Sequence, residues 1–96
     1  MNHELRYRIY EADAHVTQHL AGLVEEHKRV FDMRAALDFL LAKDPTYEAT
    51  EIGGLEGKRV YAKATSEGYP DIPRLLLLYV VDDVKMEVVI HSGHLI

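Results

Sequence analysis

From Arg74 to His94 the chain reads RLLLLYVVDDVKMEVVIHSGH, two apolar stretches joined by a short acidic turn. Successive side chains of an extended segment point to opposite faces, so Leu75, Leu77, Tyr79 and Val81 share one side while Leu76, Leu78 and Val80 share the other. A stretch that is apolar on both sides predicts a strand in the middle of a sheet. The turn at Asp82 and Asp83 predicts an antiparallel return, through a strand that ends at His91, Ser92, Gly93 and His94. Arg74, at the entrance of the first strand, is then expected beside those histidines at one end of the sheet.

The rest of the chain supplies the other elements. Leu5, Tyr7 and Ile9 alternate with Arg6, Arg8 and Tyr10, the period of a half-buried first strand. From about Asp13, the positions Val16, Leu20, Leu23, Val24, His27 and Phe31 follow helical spacing. Asp32 reads as the cap of a second helix carrying Met33, Ala36, Leu37, Leu40 and Leu41, which Pro45 stops. Pro45 to Gly57, with Gly53, Gly54 and Gly57, reads as a connector. In Lys58 to Thr65 the alternation returns, and the expectation is that Val60, Ala62 and Ala64 face the helices while Arg59, Tyr61 and Lys63 face away. Ser66 to Pro73, with two prolines and a glycine, reads as a long loop. The order β-α-α-β-β-β predicts an α+β fold, a two-helix hairpin packed on one face of a four-stranded, mainly antiparallel sheet, in a single domain over residues 1–96.

The uncovered sheet face would display Arg6, Arg8 and Tyr10 beside Arg59, Tyr61 and Lys63, with Arg74 at its rim. Guanidinium groups and phenol rings on such a face suit phosphate binding and base stacking. The alternative is a solvated face whose Arg and Lys stems cover neighbouring hydrophobic side chains.

Composition narrows the class. Ninety-six residues, 48% of them hydrophobic, suffice for one core without staples. The lack of cysteine removes disulfides, thiolate metal sites and cysteine nucleophiles, and fits a reducing compartment, with the cytoplasm as the expectation. The longest purely apolar run, Leu75 to Val81, is far too short to span a bilayer, so no membrane partner is expected. A net charge of −5 argues against phosphate binding, but it is unevenly spread. Nine acids face four bases between Glu11 and Glu51, whereas seven acids balance seven bases elsewhere. The segments read as strands are therefore neutral to basic.

Taken in order, the short first strand, the hairpin ending in LLAKDP (Leu40 to Pro45), the connector Leu55, Glu56 and Gly57, and the run from Arg74 to His94 resemble the RelE/ParE superfamily of bacterial type II toxins. The resemblance implies a growth-inhibiting toxin with a cognate antitoxin as partner. It also implies one of two targets. RelE-like members are endoribonucleases that cut messenger RNA on the ribosome, and ParE-like members are non-nucleases that poison DNA gyrase. Arg74 matches the arginine that opens the third strand, and His94 the histidine of the glycine-histidine ending. Lys58, Arg59 and Lys63 match by region the basic residues on and before the second strand. Two departures weigh against an efficient messenger-cleaving enzyme and favour a ParE-like, divergent or attenuated member: Leu95 and Ile96 follow where such toxins often carry basic residues, and the chain is acidic where ribosome-dependent members are usually basic. The reading from another class is a catalytically inactive, toxin-like binding or oligomerisation module.

Cleavage of RNA by its own 2′-hydroxyl needs a base, cations on the phosphate and an acid for the leaving oxygen. The candidates are Arg74 with Arg59 or Lys63 for the phosphate and His94 or His91 for the protons, with Tyr61 stacking a base. The plainer readings are a rim arginine and a strand-end histidine bonded to backbone. His15 and His19, at i and i+4, would share one side of a helix, but no glutamate directly follows His15 and the third ligand would have to be Glu11 or Glu26, so no metal site is assigned. His27 reads as a core histidine. The glycines at 53, 54 and 57 lack the following Lys-Ser or Lys-Thr of a phosphate loop, and no cofactor is indicated.

Overall fold

The computed structural model describes residues 6–66 and 72–96. In chain order they form β1 (Arg8–Glu11), α1 (Ala14–Glu26), α2 (Arg29–Lys43), β2 (Thr50–Leu55), β3 (Lys58–Ala64), β4 (Leu75–Asp82) and β5 (Glu87–Leu95). The strands make one sheet in the order β1-β5-β4-β3-β2, with β1 parallel to β5 and every other pair antiparallel. This is an α+β fold with both helices on one face. Leu5 and most of the loop after Ser66 fall outside the described residues.

As its two-faced apolar pattern predicts, β4 lies inside the sheet, between β5 and β3. The side bearing Leu75, Leu77, Tyr79 and Val81 is buried under the helices with Val16, Leu20, Leu23, Val30, Leu37, Leu41, Val88 and Ile90. Asp13 starts α1, its carboxylate accepting the Val16 N–H at 2.9 Å. The hairpin bends earlier than its hydrophobic pattern predicts. Extended backbone at His27 ends α1, and Arg29 opens α2. The bend rephases the apolar stripe, so Val30 enters the core while Phe31 stays 68% exposed. Asp32 is therefore not a cap. It sits in the first turn of α2, where its charge complements the helix dipole. His27 lies at the bend, half-buried, its Nδ1 accepting the Arg29 N–H at 3.2 Å.

Two further sequence expectations are corrected. Among the described residues the sheet has five strands rather than four, because the supposed connector contains β2. Glu56 and Gly57, at φ 53° and 81°, form the two-residue turn that returns β2 onto β3 with Leu55 opposite Lys58. β2 is an edge strand exposed along its whole length, so no buried alternation marks it.

The second correction is the facing of β3. Tyr61 pairs with Tyr79, Lys63 with Leu77 and Arg59 with Val81, which puts all three on the helix side. Tyr61 and Lys63 are only 6% and 7% exposed. Tyr61 stacks on Tyr79, and the Lys63 ammonium donates to the Tyr47 carbonyl at 2.7 Å. Val60, Ala62 and Ala64, opposite Val80, Leu78 and Leu76, occupy the free face instead. Tyr and Lys both carry apolar stems with a polar tip, so burial cost little once the tip found a partner.

Candidate functional site at the free face and the open end of the sheet

The inversion of β3 changes the chemistry of the helix-free face. Its centre is apolar: Val60 and Ala62 from β3, Leu76, Leu78 and Val80 from β4, and Val89 from β5. Most of these are half-buried, because a single layer leaves them covered only by strand neighbours. Polar groups stand around this floor. Arg8 and Tyr10 lie along β1, opposite Glu87 and Val89, and both are exposed. Arg6, exposed as well, is anchored by its backbone N–H, which donates to the Ala42 carbonyl at 2.8 Å.

At one end of this face stand Arg74 and His94. Arg74 and Ile96 exchange both backbone hydrogen bonds at 2.9 Å, extending the β4–β5 ladder by one pair. His94 sits opposite Leu76. With alternating side chains, Arg74 and His94 are then diagonal neighbours on the same face, a separation of about 7–8 Å in such ladders. Arg74 is held by Thr65 at the end of β3, whose carbonyl accepts from its Nε at 2.9 Å, while the Thr65 hydroxyl accepts the Leu75 N–H at 3.0 Å. His94 Nε2 lies 3.3 Å from the Ser92 hydroxyl. His91 is the extra residue of a bulge, because Leu78 pairs with Ser92 and Tyr79 already with Ile90. It is exposed. The geometry thus brings a guanidinium, an imidazole and a hydroxyl to one sheet end.

The remaining basic candidates do not join this group. Lys58 and Arg59 begin β3 and so lie at the opposite end from Arg74. Lys58 makes an exposed ion pair with Asp82 at 3.4 Å. The Tyr61 hydroxyl and the nearby acids Glu51 and Asp83 raise the Arg59 guanidinium above its ordinary value, so it stays charged there. Tyr61 and Lys63 are enclosed on the other face, where neither presents itself to a polynucleotide.

Of the two α1 histidines, His15 is exposed, whereas His19 has a structural occupation. Beyond Ile90, β5 has no β1 neighbour, which exposes the outward Gly93 carbonyl. His19 Nε2 lies 2.8 Å from that oxygen, and since a carbonyl only accepts, this nitrogen carries the proton. The His19 ring is also 6.2 Å from that of His94. Among the described residues no group of three His, Cys, Asp or Glu side chains is arranged to hold a metal ion. Also among them, no helix is long and apolar enough to cross a membrane.

Three features escaped the sequence pattern. One is the apolar floor, which follows from the facing of β3. Another is the role of Thr65 in fixing Arg74. A third is the network in which the Glu11 carboxylate accepts from the Thr17 hydroxyl at 2.6 Å and from Arg34 at 2.7 Å, while Arg34 also donates to Asp38 at 2.9 Å. The i, i+4 spacing of Arg34 and Asp38 was a legible signal for part of it. Comparison with protein-family models, with curated proteins and with solved structures finds no match to this chain in any of the three.

Proposed function

We propose that this chain is a growth-inhibiting toxin of the RelE/ParE type that acts by binding a protein target, as the gyrase-directed members do. One observation carries the choice between the two branches. The helix-free face has an apolar floor of Leu76, Leu78, Val80, Val60 and Val89, while Tyr61 and Lys63, the best base-stacking and phosphate candidates on β3, are turned inward. An apolar floor ringed by Arg8, Tyr10 and Arg74 favours a protein surface over a polyanion, and the net charge of −5 works in the same direction. The element order and the Arg74 to His94 segment support the superfamily. The cognate antitoxin would be the second protein partner, and self-association through the same floor is a further expectation of the binding-module alternative.

The messenger-cleaving branch keeps one specific support, the placement of Arg74, His94 and Ser92 at one end of the sheet. There Arg74 would neutralise the phosphate and His94 would move protons. The two branches separate in one pair of assays with purified protein: cleavage of ribosome-bound messenger, and supercoiling by gyrase. Inhibited supercoiling with intact messenger is the expected result. Messenger cleavage that disappears in Arg74→Ala and His94→Ala would establish the nuclease branch instead.

A further inference from the structure

A second surface lies on the other side of the molecule. The helices cover β1, β5 and β4, and leave a cleft of about 400 Å³ between the flank of α2 and the end of β3. Met33, Ala36, Leu37 and Leu40 form its helical wall, and the end of β3 around Lys63 and Thr65 the strand side. At 1.5 Å per residue, the wall from Asp32 to Leu40 runs for about 12 Å, slightly more than two helical turns. The apolar stripe of α2 is wider than the sheet it covers. Val30, Leu37 and Leu41 point into the core, whereas Leu40, on the cleft side, is 44% exposed.

The charges at the mouth say what fits it. Asp32 on the helix and Glu48 on the loop before β2 line the cleft, and neither makes an ion pair among the described residues. The one lysine in the lining, Lys63, is buried and its ammonium is committed to the Tyr47 carbonyl. The cleft therefore presents an apolar trough with a carboxylate on each wall. Both acids belong to the Glu11 to Glu51 region in which the whole negative excess of the chain resides.

We infer that this cleft is a docking site for a short amphipathic helix of another protein, one whose apolar anchors are flanked by lysine or arginine. Apolar side chains at i, i+3 or i+4, and i+7 of the incoming helix would fill the trough beside Ala36 and Leu40. Its cations would reach Asp32 and Glu48, which contribute orientation and selectivity more than raw affinity. The inference is independent of any toxic activity, because it concerns the face opposite the apolar sheet floor.

Two fluorescein-labelled synthetic helices test it, identical in their leucine stripe but carrying Lys in one and Glu in the other. Binding to the full chain is followed by anisotropy and by backbone amide shifts. The lysine peptide is expected to bind at least about tenfold more tightly than its glutamate twin, with shifts centred on Met33, Ala36, Leu40 and Thr65. The double change Asp32→Lys with Glu48→Lys should remove that preference. The same charge change made on α1, Glu25→Lys with Glu26→Lys, should leave it in place. Circular dichroism melting checks that each variant is folded. Equal binding of the two peptides, equal loss from both double changes, shifts centred on β4 and β3 of the opposite face, or no binding up to about 1 mM would each overturn the proposal.

Discussion

Tyr61 lies stacked on Tyr79 across the β3–β4 pair, ring centroids 6.1 Å apart and planes 24° from parallel. Beneath the stack the Tyr79 hydroxyl donates to the Pro45 carbonyl, and burial pushes its phenol well above the ordinary range, so it remains a donor. The contact lies on the helix side of β3. With Tyr61 inside, Lys63 follows it two residues on, and the small residues Ala62 and Ala64 go to the free face. Tyr61→Ala should destabilise the fold by about 3–4 kcal/mol, whereas Tyr61→Phe, which keeps the stacked ring, should cost less than about 1.5 kcal/mol. Urea denaturation of the two variants measures the difference.

Gly93 lies under α1, opposite Leu77 on β4. A Cβ built there would stand 2.5 Å from Leu20 Cδ2 and 3.2 Å from Leu77 Cδ2. Gly93→Ala should therefore cost about 1–3 kcal/mol through overpacking. Leu20→Ala removes the closer obstacle, so the double variant should be more stable than the sum of the two single losses implies. Thermal melts of the four proteins in the cycle give this coupling, whose sign must be favourable.

The Thr17 hydroxyl, and after it the Arg34 guanidinium, hold the Glu11 carboxyl below its ordinary value of 4.5. A carboxyl depressed on folding adds stability above its unfolded value, and that contribution is lost as pH falls through the folded value. Glu11→Gln should thus be less stable than wild type by about 1–2 kcal/mol at neutral pH. The gap should close progressively below pH 4.5, as the wild-type carboxyl takes up its proton. Denaturant titrations of both proteins across the acid range check the direction.

Among the described residues β2 has neither a helix over it nor a strand on its outer side, and every residue in it is exposed. Its amides should exchange with solvent deuterium far faster than those of β4, which has a strand on each side and the core beneath it. Residue-resolved hydrogen exchange should rank β4 as the most protected strand and β2 as the least.

The strands that build the core were legible because their patterns had one solution. The run from Leu75 to Val81 is apolar on both sides, which only a central strand satisfies, and the acidic turn after it fixed the antiparallel return that brings Arg74 and His94 to one end. β3 was ambiguous for a physical reason. Alternation reveals that two faces differ but not which is inside, and Tyr61 and Lys63 have stems apolar enough to be buried against Val60, Ala62 and Ala64 as competitors. The position of the hairpin bend was similarly underdetermined, because Val30 and Phe31 are adjacent apolar residues and only the turn at His27 selects between them. β2 gave no signal, since an exposed edge strand containing two glycines has no buried side to mark it. The Arg74 and His94 positions were readable from strand ends alone, while the support that Thr65 gives Arg74 required the register.

Inducing wild type and Leu78→Asp at equal soluble levels in a bacterial host and recording growth shows whether the apolar sheet floor is the working surface of a growth-inhibiting protein, as proposed. Leu78 is half-buried on that floor, so a melt by circular dichroism should find the variant folded. Wild type should arrest growth, and Leu78→Asp should restore colony formation at least about tenfold, through the cost of placing a charge in an apolar contact. Normal growth with wild type, or arrest that Leu78→Asp leaves undiminished, would contradict the proposal.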